Sequence, residues 1–195
     1  MKHDARDLVP APSQTVGPFF HIGLAYEADS GKLAGDQAVG NRIRLVIRVL
    51  DAEGAGVPDA LIELWQADAN GNYNHPDDPR QHAADPAFRG HGRQPSDNDG
   101  ITVFETVRPG RVAGVDGELQ APHINVHIFA RGILRHISTR IYFTGDPANS
   151  EDAILRLIPL ERRETLLARD DRDDQRTWCI DFRLSGAGET VFFDA

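Results

Sequence analysis

Between residues 42 and 50, Ile43, Leu45, Ile47 and Val49 fall on one parity and Arg42, Arg44 and Arg48 on the other, with Val46 as the exception. That period of two fits a strand with one face buried and the other wet. A helix, repeating every 3.6 residues, would scatter the same side chains around its circumference. Shorter runs of strand character stand at 61–65, 101–107, 123–130, 137–143, 177–184 and 190–193. Turn clusters at 51–56, Asp68-Ala69-Asn70-Gly71, Asp97-Asn98-Asp99-Gly100 and Arg108-Pro109-Gly110 divide them. Short strands at this spacing predict an all-β sandwich or barrel, and a two-sheet β-sandwich is the expectation taken forward.

Two segments escape the strand pattern. Residues 1–40 hold the Pro10-Ala11-Pro12 and Gly17-Pro18 breaks and no sustained period, so they read as an irregular N-terminal arm. Residues 72–95 are polar, carry His75, His82 and His91, and read as one long surface loop of the kind that carries function or an interface. A helix is predicted only over 160–168, after Pro159, where Leu160, Leu166 and Leu167 form an apolar stripe. At 195 residues the whole, 1–195, is expected to be a single domain, and 18 Gly and 12 Pro suit its many turns.

The formal net charge of −9 disfavours binding to nucleic acid, whose phosphates require Lys and Arg. Residues 1–13 contain charges and prolines rather than an apolar signal core, and the sequence has no run long enough to span a bilayer, which points to a cytoplasmic protein. One cysteine, Cys179, excludes an intrachain disulfide, and its place beside Trp178 in an apolar run reads as a buried, inert thiol.

Asp68, Asn70 and Asn72 resemble the start of a calcium loop, but Gly71 stands fourth and Pro79 twelfth where Gly at six and Glu at twelve are needed, so a turn is the reading. His123 and His127 share a strand face, yet positions four apart on a strand lie about 13 Å from each other. One ion needs each ligand at about 2 Å, so histidines satisfied by hydrogen bonds are favoured. Nucleophile elbows, phosphate loops and zinc-protease motifs are absent.

Five stretches in order resemble the intradiol ring-cleaving dioxygenases. They are Pro12-Ser13-Gln14-Thr15-Val16-Gly17-Pro18, Leu64-Trp65-Gln66-Ala67-Asp68-Ala69-Asn70-Gly71, Ala121-Pro122-His123-Ile124-Asn125-Val126, Phe129-Ala130-Arg131-Gly132 and Glu189-Thr190-Val191-Phe192-Phe193-Asp194. The likeness is specifically to the alpha chains of the protocatechuate-cleaving, two-chain members. It implies a hetero-oligomer in which a beta subunit holds Fe(III) with two Tyr and two His, and protocatechuate is opened with O2 to 3-carboxy-cis,cis-muconate. Anionic phenolates and imidazoles suit such a hard, oxidised metal.

Transferred position by position, the resemblance places the iron site at Tyr73, Val112, His123 and Asn125. Valine has no lone pair and a neutral amide replaces imidazole poorly, so the site is vestigial and this chain is expected to bind no metal by itself. Gln120 stands where the catalytic chain carries an assisting Arg. The resemblance also implies that Thr15, Gly17 and Pro18 line the beta subunit's cavity, with Arg131 supplying charge near the substrate carboxylate. Without it, Arg131 reads equally as a solvated or ion-paired strand-end residue. Two alternatives stand beside this one: a noncatalytic β-sandwich binding module, and a self-sufficient homo-oligomeric intradiol catechol dioxygenase.

Overall fold

The structure is a computed structural model and describes residues 11–17, 19–25, 30–114 and 117–194. Its strands are β1 (Arg42–Leu50), β2 (Leu61–Trp65), β3 (His91–Pro95), β4 (Ile101–Val107), β5 (Ile124–Phe129), β6 (Ile137–Phe143), β7 (Leu167–Asp170) and β8 (Thr177–Arg183). Three short helices complete it: α1 (Phe20–Leu24), α2 (Ala153–Leu157) and α3 (Leu160–Arg163).

β1 behaves as its alternation requires. Ile43, Leu45, Ile47 and Val49 are buried while Arg44 and Arg48 are exposed. It lies antiparallel to β4, with Leu45 opposite Phe104, and parallel to β8, with Ile47 opposite Ile180. Inward side chains of β1, β2, β4, β5, β6 and β8 join in one apolar cluster, and burying each large one stabilises the fold by about 1.5–3 kcal/mol.

The two-sheet expectation is corrected. All eight strands form one hydrogen-bonded series, β3-β2-β5-β6-β7-β8-β1-β4. The link is β7, which pairs parallel with the end of β6 and antiparallel with β8, joining what would otherwise be two sheets. The edge strands β3 and β4 come into contact, so the sheet nearly closes around its core. Residues 30–34 fill the remaining gap: the Leu33 amide donates to the Glu105 carbonyl of β4, the Glu105 amide to the Gly31 carbonyl, and the Arg93 amide of β3 to the Ser30 carbonyl. The irregular arm therefore contains a piece of the wall.

Other expectations fail for local reasons. The 72–95 loop contains β3, whose inward position is Gly92; an added Cβ there would meet Leu33 Cδ1 at 2.6 Å and the Ser30 carbonyl oxygen at 2.7 Å. The apolar group that fills this position comes from Leu33, so β3 has no hydrophobic pattern of its own. The 160–168 helix is interrupted: α3 ends at Arg163, a 3-10 turn follows, and the chain becomes β7 because Leu166 and Ala168 are both buried, at strand spacing. The 190–193 strand reduces to one bridge, Ser138 to Phe193. Cys179 is exposed, because Ile180 and Phe182 take the inward parity of β8, and burial of part of its surface pushes the thiol pKa up.

Asp68 is buried, and its Oδ1 accepts from the amides of Asn70 (2.8 Å) and Asn72 (3.0 Å) while Oδ2 accepts from Asp85 (2.9 Å). The carboxylate thus ties a turn to the following loop. Gly71 in that turn has φ 83°, a left-handed value that glycine adopts without strain.

Candidate functional site

The four positions marked by sequence cluster at the start of β5. His123 is buried just before the strand, and its Nδ1 lies 2.8 Å from the Ala121 carbonyl oxygen, which assigns the proton to Nδ1. Burial, aided by the nearby charge of Arg140, pulls its pKa down to about 4. Two residues on, Asn125 faces the same outer side, between Trp65 of β2 and Arg140 of β6 in the strand register. Tyr73, in the loop after β2, stacks on Trp65 with ring centroids 5.8 Å apart and planes 4° from parallel. Burial pushes the Tyr73 phenol up, against the opposing effects of Arg140 and Asn125. Val112 is buried, and its carbonyl accepts from the Gln120 amide at 2.8 Å.

Arg140 is the residue that sequence reasoning missed. Its Nη1 donates to Gln120 Oε1 at 2.8 Å and to the Tyr142 hydroxyl at 3.3 Å. The Tyr142 hydroxyl in turn donates to Asp152 Oδ1 at 3.2 Å, and Asp152 Oδ2 accepts from the Ala121 amide at 2.8 Å. The only sequence signal was a charged residue within the otherwise uncharged run 137–143. Gln120 is 20 residues from Arg140 along the chain, and Asp152 is 10 from Tyr142, so only the fold reveals the network. A cavity of about 650 Å³ opens beside it, lined among others by Trp65, His91, Asn125, His127 and Arg140.

The arm residues form a second cluster at the other end of β5. Gly132 donates its amide to Thr15 Oγ1 at 2.8 Å, and the Gly17 carbonyl accepts from the Phe20 amide at the start of α1. Phe20 packs on Phe129 with centroids 5.4 Å apart. Arg131 Nη2 stands 3.8 Å from Asp59 Oδ2, with about half of each side chain exposed. Pro18 lies outside the described residues. From Asn125 to Arg131 the chain runs six residues, roughly 20 Å if extended, so Thr15, Gly17 and Arg131 are grouped together and apart from Tyr73, His123 and Asn125. Among the described residues no group of three or more His, Cys, Asp or Glu could hold a metal ion.

The fold agrees with the comparisons with known proteins. A dioxygenase family model matches residues 15–186, and the chain belongs to the intradiol ring-cleavage dioxygenase family, whose members use non-haem Fe(III). More particularly, it is 42% identical to a protocatechuate 3,4-dioxygenase alpha chain of Pseudomonas putida, over 96% of this chain and 98% of that one. Identity to a beta chain of the same enzyme from Burkholderia cepacia is 32%, over 80% of this chain and 66% of the other. The solved hydroxyquinol 1,2-dioxygenase of Pseudomonas putida DLL-E4 shares the fold with a TM-score of 0.64 at 22% identity, covering 91% of this chain and 68% of that chain. Membership of the family sets aside an unrelated binding module.

A ferric ion does not suit the four positions as they stand. Tyr73 and His123 are competent donors, but Val112 offers none and Asn125 offers a neutral amide, beside a guanidinium.

Proposed function

We propose that this chain is the alpha, non-iron-binding subunit of a protocatechuate 3,4-dioxygenase, acting in the cytoplasm with a beta subunit that holds Fe(III). The observation that carries this reading is the pairing of an alpha-like sequence across nearly its full length with Val112 and Asn125 at two of four ligand positions. The self-sufficient homo-oligomer needs all four ligands in one chain, and loses support for the same reason. When held by the beta subunit, Fe(III) would supply the Lewis acidity that polarises a catecholate substrate.

This chain's own contribution is a wall. Thr15, Gly17 and Pro18 are assigned to the partner's cavity, where Thr15 and Gly17 would offer backbone and a small hydroxyl, and the hydrogen bond from Gly132 to Thr15 holds the arm against the turn that carries Arg131. Arg131 is half-exposed and only loosely paired with Asp59, so its guanidinium is available to a carboxylate presented from across a subunit boundary. The test is oxygen uptake with protocatechuate by the chain alone, by the beta chain alone and by the two co-expressed. Full activity should require both. Stoichiometric turnover by this chain alone would overturn the reading.

A further inference from the structure

We propose that Arg140 has taken over the positive charge of the vestigial iron site, so that this pocket excludes cations actively rather than merely lacking ligands. The inference rests on the reading of Tyr73, Val112, His123 and Asn125 as former ligand positions, and adds a residue outside that set.

Arg140 stands directly opposite Asn125 in the β5–β6 register. Its guanidinium is fixed by Gln120 Oε1 and the Tyr142 hydroxyl. Tyr142 is itself buried and anchored by the buried Asp152, so the cation is held from behind by a chain of hydrogen bonds. Arg140 lines one cavity with Asn125 and with Trp65, on which Tyr73 stacks, and its hydrogen-bond partner Tyr142 packs on His123 with ring centroids 5.8 Å apart. A trivalent ion placed between Tyr73 and His123 would meet this unit charge where the surroundings are largely buried and screening is weak. One resident cation suffices for the electrostatic needs of the phenol, the carboxylate and the amide oxygen around it, and a second is unfavourable.

The experiment uses the co-expressed alpha–beta complex, read by iron per pair and by the visible phenolate-to-iron band. Val112→Tyr with Asn125→His restores the four ligand types and should leave iron at about one per pair, all in the beta chain. Adding Arg140→Gln should raise it towards about two per pair, whereas adding Arg140→Lys, which keeps the charge, should not. Because Tyr at buried position 112 can disturb folding, Asn125→His is also compared with and without Arg140→Gln, with added cobalt(II) as the probe. Cobalt absorption should appear only when Arg140 is gone, at least tenfold above the charged form. Two irons per pair in the double variant, or an assembled triple variant with Gln that still holds one, would overturn the proposal. Iron bound stoichiometrically by the unaltered chain would instead overturn its assignment as the non-iron subunit.

Discussion

On the outer face of β2, Glu63 accepts from Arg93 at 2.5 Å and lies 3.3 Å from His127 Nδ1 and 3.7 Å from His91 Nε2. The neighbouring His91, with Arg93 and His127, holds its carboxyl down to about 2 against the opposing effect of burial. A depressed carboxylate pKa contributes stability that is present above the unfolded value and lost as pH falls from about 4.5 to about 2. Glu63→Gln should therefore cost about 2 kcal/mol at pH 7 and flatten that acid limb, as urea titrations at several pH values would show; an unchanged limb would mean the group is not the one responsible. The role proposed for Arg131 is on substrate rather than on stability. Protocatechuate carries a ring carboxylate that catechol lacks, so Arg131→Leu in the assembled enzyme should lower kcat/KM for protocatechuate by about tenfold or more and spare catechol. Equal losses on both substrates, with iron content intact, would remove Arg131 from carboxylate recognition. Arg131 could be singled out as a candidate because it stands in a recognisable stretch, Phe129-Ala130-Arg131-Gly132. Arg140 could not, because nothing in one sequence tells an outward charge on a strand from a cation locked to Gln120 and Tyr142.

Among elements, those with a full apolar parity could be read and those borrowing their core from elsewhere could not. β1 and β6 match the predicted runs closely, since β1 buries its own alternating side chains and β6 is buried along most of its length. β3 depends on Leu33, and β7 is four residues long with one buried side chain, so neither carries a period. α2 is likewise too short for a stripe and is held by one residue. Asp152 caps it by accepting from the Ile154 and Leu155 amides at 3.0 and 2.9 Å, while also accepting from Ala121 and Tyr142. Replacing Asp152 with Ala strands three amides and a hydroxyl in a buried place, and should destabilise the chain by about 3–5 kcal/mol. Denaturant unfolding of the assembled enzyme and of the variant would check this; a loss under about 1 kcal/mol would mean water replaces the carboxylate.

At the scale of the whole molecule, the sheet supports two groups of residues at opposite ends of β5: a pocket built around Arg140, and an arm edge presenting Thr15, Gly17 and Arg131. Phe19 is 75% and Ile22 57% exposed next to that edge, an apolar surface suited to burial against the beta subunit. The proposed division of labour could be drawn from sequence alone, because Val and Asn in place of Tyr and His change the chemistry whatever the fold. The nearly closed sheet could not, because its closure rests on β7 and residues 30–34, which have no pattern of their own. The central claim is that iron chemistry belongs to the partner and not to this chain. Its most direct test is metal analysis and visible spectroscopy of this chain purified alone from iron-replete cells, beside the co-expressed complex. The account predicts a colourless chain with negligible iron and a coloured complex with about one iron per alpha–beta pair, whereas a burgundy isolated chain with stoichiometric iron would contradict it.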